Sequence, residues 1–95
     1  MKEDLIISAV CSRFNVPRDL LLSKVGTDPI SIWRAYTIYL LKEEADMSYR
    51  QIARLFDSSP SIMYGRYKAV ETWISVGGET KQIINELSLT KDALL

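Results

Sequence analysis

The sequence predicts an all-α fold: a compact bundle of about six helices containing a helix-turn-helix. Three observations carry this. Apolar residues recur at three- and four-residue spacing along most of the chain, the period of a helix with one buried face. No alternation of apolar and polar residues persists long enough to make a strand. Ser, Pro, Gly and Asp punctuate the pattern where helices would start or stop. The 95 residues are 47% hydrophobic and 25% charged, the balance of a soluble globular chain that can build one core. One domain over residues 1–95 is therefore expected.

The elements follow in order. Glu3 to Phe14 carries Leu5, Ile6, Ala9, Val10 and Phe14 on one side of a first helix. Asn15-Val16-Pro17 interrupts it, and Pro17 is suited to start a short helix through Leu20–Ser23. Lys24 to Pro29 holds Gly26, Asp28 and Pro29 and reads as a loop. Ser31 to Ala45 is a longer helix whose Ile32, Trp33, Tyr36, Tyr39 and Leu40 make a broad apolar surface, as expected of a central helix touched from several sides.

Residues 48–76 read as two helices joined by a very short polar turn. Ser48 followed by Gln51 is a capping-box start. Ile52, Leu55 and Phe56 then share a face, with Ala53 small where a second helix must come close. Asp57 and Ser58 break the pattern, Ser59 can cap the next helix, and Pro60 fits its first turn, where no amide donor is needed. Met63, Tyr67, Val70 and Ile74 line one side of that longer helix, which should stop at Gly77-Gly78. Glu79 to Leu87 gives a further helix with Ile83, Ile84 and Leu87 inward, and Thr90 is placed to cap a last short turn.

Composition removes several kinds of chemistry. The chain has no histidine and one cysteine, so the commonest general base and a structural zinc site are both missing. Glu43, Glu44 and Asp46 cluster at a helix end with no convergent partner and read as a solvated terminus. No catalytic role, metal or cofactor is expected. Cys11 reads as a buried thiol in a reducing cytoplasm. No apolar run approaches the ~20 residues that cross a bilayer, and no signal peptide precedes the first helix, so no membrane partner is expected.

A helix-turn-helix of this kind can place its second helix in a DNA major groove. Net charge is zero, yet residues 48–70 hold Arg50, Arg54, Arg66 and Lys68 against Asp57 alone. These four are candidate phosphate contacts. Ser58, Ser59 and Ser61, at the start of the second helix, are candidates for phosphate or base contact. Ile62 fits a thymine methyl, the core or a protein partner. Tyr64 is expected to face outward.

The run from Leu5 to about Trp73 also resembles the C-terminal, duplex-binding domain of the bacterial replication initiator DnaA. Ala9-Val10 with Phe14-Asn15-Val16 is similar to that family's first helix and its exit. Leu21-Leu22-Ser23-Lys24 resembles its short second helix leading into a basic loop, and Arg34 with Tyr39-Leu40-Leu41-Lys42-Glu43 its central helix. Ser48, Ile52 and Phe56, then Met63, Val70 and Glu71, fall at the framework positions of its helix-turn-helix. The resemblance implies a Trp-repressor-like fold, double-stranded DNA as partner, and backbone contact by Lys24 and Arg34. The family's base-reading Gly-Gly-Arg-Asp-His-Thr-Thr is replaced here by the shorter Asp57-Ser58-Ser59-Pro60-Ser61-Ile62, and its arginine-rich loop by Val25-Gly26-Thr27-Asp28. No phosphate-cradling Gly-Lys-Ser/Thr loop occurs.

Two functions are therefore expected to compete. One is duplex binding in replication initiation, transposition or transcription control. The other is a protein-interaction module, an adaptor or inhibitor that kept the fold and lost the DNA. A replication protein, or a second copy meeting the first through residues 79–95, are the protein partners considered.

Overall fold

The computed structural model describes residues 2–24 and 26–88. Its helices are α1 (Lys2–Phe14), α2 (Arg18–Leu21), α3 (Ile30–Glu44), α4 (Tyr49–Leu55), α5 (Pro60–Ser75) and α6 (Glu79–Leu87), and no strand occurs among the described residues. Thr90 and the turn expected after it lie outside them.

α3 is the hub, packed by α1, α2, α4 and α5. Its Ala35, Tyr36, Ile38, Leu40 and Leu41 are buried, and so is Thr37, whose Oγ1 donates to the Trp33 carbonyl at 2.9 Å. That bond satisfies the hydroxyl inside the helix, so a polar residue sits in the core without an orphaned group. The expected broad apolar surface is real and wider than the sequence pattern alone marked, since Ala35, Ile38 and Leu41 join it. α6 closes the far side. Ile83, Ile84 and Leu87 are buried, Arg13 meets Glu86 at 2.9 Å, and the Tyr36 and Thr80 hydroxyls share a 3.3 Å hydrogen bond. The apolar side of α6 therefore belongs to the chain's own core, and the rest of the segment considered for self-association lies largely outside the described residues.

Three expectations are corrected. The buried face of α1 is Ile6, Ile7 and Val10, while Leu5 is 58% exposed. Both faces obey a helical period, and the packing of α2, α3 and α6 selects the one turned toward Ile7. The second helix is Arg18–Leu21, with Pro17 as its extended N-cap rather than its first turn. Cys11 is only partly buried; burial still pushes its thiol up, opposed by the nearby Arg18. The acidic cluster is also less idle than expected. Glu43 accepts from the Tyr67 hydroxyl at 2.8 Å, and Glu44 accepts from Ser88.

The capping box is formed in full: Gln51 N–H donates to Ser48 Oγ at 3.1 Å, and Ser48 N–H to Gln51 Oε1 at 2.9 Å. α4 has only seven residues. A helix so short does not stand alone in water, and depends on its cap and on the burial of Ile52 and Ala53. Ser48→Ala is expected to lower unfolding stability by about 1 kcal/mol with the helical circular-dichroism signal retained below the transition. Chemical denaturation of the two forms checks it.

Candidate nucleic-acid interface

The turn between α4 and α5 is built almost entirely from local bonds. Asp57 takes a left-handed conformation (φ 50°), which short polar side chains tolerate. Ser58 N–H then donates to the Ala53 carbonyl at 2.9 Å and Asp57 N–H to that of Arg54 at 3.4 Å. This paired return is a Schellman exit with aspartate in the place usually held by glycine. Ser59 is extended, its Oγ accepts from Ile62 N–H at 3.3 Å, and Pro60 opens α5.

The consequence is an open helix start. Met63 and Val70 turn inward and are buried, so the opposite side of the first turns of α5 must face out. Ser58, Pro60, Ser61, Gly65 and Arg66 are exposed, Ser59 is half-buried, and Ile62 and Tyr64 are each 51% exposed.

Cations stand on both sides of this end. Arg50 and Arg54, exposed on α4, line a shallow depression with Asp57, Ser58 and Pro60. On the other side a cleft of about 360 Å³ separates α5 from the segment that follows α2. Lys24, Arg34 and Arg66 line it together with Ser58, Ser59 and Ile62, and Asp57 is its one acid among the described residues. Lys24 Nζ reaches Asp57 Oδ2 at 3.4 Å, but both side chains are largely in solvent, so the pair is loose.

Arg34 is fixed. Its Nε donates to the Leu21 carbonyl at 2.9 Å and one terminal nitrogen to that of Leu20 at 3.4 Å, tying α3 to the end of α2. Partial burial pushes the Arg34 guanidinium down from its ordinary value, and the neighbouring Arg66 adds to that. Arg50, Arg54 and Arg66 make no ion pair among the described residues. Lys68, further along α5, is held 2.7 Å from Glu71, which raises its pKa.

Of the residues singled out in the sequence, Lys24, Arg34, Ser58, Ser59, Ile62 and Arg66 therefore share one cleft. Arg50 and Arg54 flank the other side, Ser61 is exposed on the first turn of α5, and Lys68 lies apart. Ser23 and Ser31 also line the cleft and were not anticipated, because only the folding of the α2–α3 loop against α5 brings them there.

Tyrosines brace the helix pair. Tyr39 stacks on Tyr67 at 5.1 Å, and Tyr49 meets Tyr64 and Tyr67 edge-on at 5.5 and 6.0 Å. Lys42 Nζ sits 4.7 Å over the Tyr49 ring. The cluster joins α3, α4 and α5 and so fixes the angle at which α5 presents its start.

A short capped helix, a tight turn and a second helix with an open, cation-flanked start define a helix-turn-helix domain. Residues 3–69 match the sequence model described as the bacterial DnaA protein helix-turn-helix. The chain belongs to that family. It is 32% identical over 83 residues to the chromosomal replication initiator protein DnaA of Mycoplasma genitalium, and equally to that of Mycoplasma pneumoniae. In both alignments 87% of this chain is covered, but it spans only 19% of the length of either relative. No solved structure matches significantly. Among the described residues no helix is long and apolar enough to cross a membrane.

The tyrosine cluster carries a pH signature. Burial first, and then Glu43, hold the Tyr67 hydroxyl well above its ordinary value; Tyr39 and Tyr49 are raised chiefly by burial. A group whose folded pKa exceeds its unfolded value of about 10 stabilises the fold fully below that pH and loses its contribution above it. Stability is therefore expected to fall as pH rises past about 10. The fall should be shallower in Tyr67→Phe. Denaturant midpoints across the alkaline range, with tyrosinate absorbance in parallel, measure it.

Proposed function

We propose that this chain binds double-stranded DNA, with the start of α5 in the major groove, and that it serves replication initiation. The single observation that carries the reading is the arrangement of cations around an uncovered helix start. Arg50 and Arg54 lie on one side and Lys24, Arg34 and Arg66 on the other. Arg34 and Arg66 line one cleft and repel each other, and a phosphate oxygen bound there would offset that repulsion. The setting rests on the family and on relatives named as chromosomal replication initiators. On this reading the chain binds rather than catalyses.

Ser58, Ser59 and Ser61 would meet the strand at the helix start, where amides and dipole favour a phosphate. The first helix, α4, would cross the backbone with Arg50 and Arg54 on it. Lys68 would reach the flanking strand only by leaving Glu71. With five cations at the interface, the logarithm of affinity should fall against the logarithm of salt with a slope of about −4.5. A single module with few base-reading groups should bind in the ~10⁻⁶–10⁻⁴ M range, so tight binding would need a second module or a second copy.

Docking of a protein on the same surface has Ile62's exposure and the zero net charge in its favour. Salt separates the two readings. For duplex binding, Arg50→Ala and Arg66→Ala are each expected to weaken affinity and to reduce the salt slope by about 1. A flat salt response in fluorescence anisotropy, with partner capture abolished by Ile62→Asp, would favour the protein partner instead.

Gly65 supplies a second test. It is exposed in mid-helix, and a methyl group there would meet nothing within 4 Å of the protein. Gly65→Ala should stabilise the fold by about 1 kcal/mol. If α5 sits in a groove, the same change should weaken duplex binding several-fold. Denaturation and anisotropy on one variant read both effects.

A further inference from the structure

We infer that this chain selects its duplex through thymine methyl groups, with Ile62 as the reader. The inference rests on α5 being the DNA-facing helix and adds the chemistry that α5 recognises.

The first turn offers few polar groups to a base edge, and Ser59, one of those few, serves as the helix cap. Ser59 Oγ accepts from Ile62 N–H, and it lies 3.4 Å from Ser61 Oγ. Pro60 has no N–H to donate. Asp57, in the turn itself, is an acceptor only and stands in a loose, solvent-exposed pair with Lys24. Direct reading by hydrogen bonds is therefore thin at the positions that enter a groove first.

The apolar side is well built. Four large apolar side chains stand exposed among the described residues, and two of them, Ile62 and Tyr64, lie in the first turns of α5. At 3.6 residues per turn, a line drawn between Ser61 and Gly65 runs along the outer face of α5, with Ile62 and Tyr64 about 80° to either side. Small residues in the centre let the backbone come close to the floor of a groove, and the two larger side chains reach out to its walls. Tyr64 is held edge-on to Tyr49, whereas Ile62 shares its cleft with Arg34 and Arg66. Ile62 is β-branched and on a helix keeps essentially one χ1 rotamer, so its branch is already placed for a partner.

Only one base in ordinary DNA offers an apolar group on its major-groove edge, and that group is the thymine C5 methyl. An exposed isoleucine beside phosphate-binding cations suits it. The cations hold the strand, and Ile62 removes the methyl from water.

Paired selections test this. A random duplex pool is made once with thymine and once with uracil, which pairs identically and lacks only the methyl. The full chain and Ile62→Ala are then measured on both at low salt. The thymine pool is expected to enrich sites that share thymines at fixed positions. Resynthesis of those sites with uracil should weaken binding by about four-fold for each contacted methyl lost. Ile62→Ala should bind both forms alike, near the wild-type affinity for uracil, while Arg66→Ala should weaken both and keep their ratio. Because Ile62 is half exposed, its variant should fold, and circular dichroism verifies that.

Equal wild-type affinity for thymine and uracil sites, or a thymine preference that survives Ile62→Ala, overturns the inference. So does a pool with no enriched sites. Salt-dependent binding in those cases leaves duplex binding standing. No binding of either pool at low salt removes both.

Discussion

The burial of α3 under α1, α2, α4 and α5 is the constraint on which the rest of this structure depends. Ile38, Leu40 and Leu41 are almost wholly removed from water, each contributing about 1.5–3 kcal/mol. That surface orients its neighbours. α5 lies along α3 by turning Met63 and Val70 inward, and a helix that buries one stripe must expose the opposite one. The outward placement of Ser61, Ile62, Gly65 and Arg66 is thus a consequence of core packing. The interface is the reverse side of the hydrophobic seam, and a change that rotated α5 on α3 would rebuild it altogether.

Direction is set at the helix exits, and there the chain uses small polar residues in left-handed conformations. Asn15, Asp46 and Asp57 all have positive φ, and each falls just after a helix ends. At Asn15 the following amide, Val16 N–H, returns to the Cys11 carbonyl at 3.0 Å, repeating the geometry found between Ser58 and Ala53. Gly77 does the same work after α5, with φ 83° and its N–H returned to the Ile74 carbonyl at 2.9 Å, and Gly78 (φ 82°) is the N-cap of α6. A left-handed residue stops one helix and turns the chain within a few bonds, which is why α4 and α5 need so short a connection.

The features legible in the sequence are those that act over a few residues. Ser48 with Gln51, Ser59 with Pro60, and Gly77-Gly78 each announce a helix end by a bond or a dihedral confined to its own neighbourhood. The inward trio of α6 was legible too, because only one of its faces is apolar. α1 is apolar over a wider arc, and nothing local distinguishes the Leu5 side from the Ile7 side; the packing of α2, α3 and α6 decides it. The attachment of Arg34 to the carbonyls of Leu20 and Leu21 was illegible for the same reason, since it depends on how α3 lies against α2. The tyrosine cluster spans three helices and needs their mutual register.

Zero net charge weighs against a polyanion as partner, but the placement of charge matters more than its sum. Several acids are engaged elsewhere: Asp4 with Arg18, Glu86 with Arg13, Glu71 with Lys68, and Glu43 with the Tyr67 hydroxyl, while Asp57 stays at the interface beside Lys24. Salt screens exposed charges beyond about 8 Å at physiological ionic strength, so a strand lying on the start of α5 senses the nearest cations far more than carboxylates on another face. What neutrality removes is long-range attraction. Encounter would lack strong steering, and the bound state would depend on close contacts made after the helix arrives. A neutral domain with a local cationic rim is therefore one in which shape and side-chain chemistry at the end of α5 carry a larger share of recognition than they would in a strongly basic one.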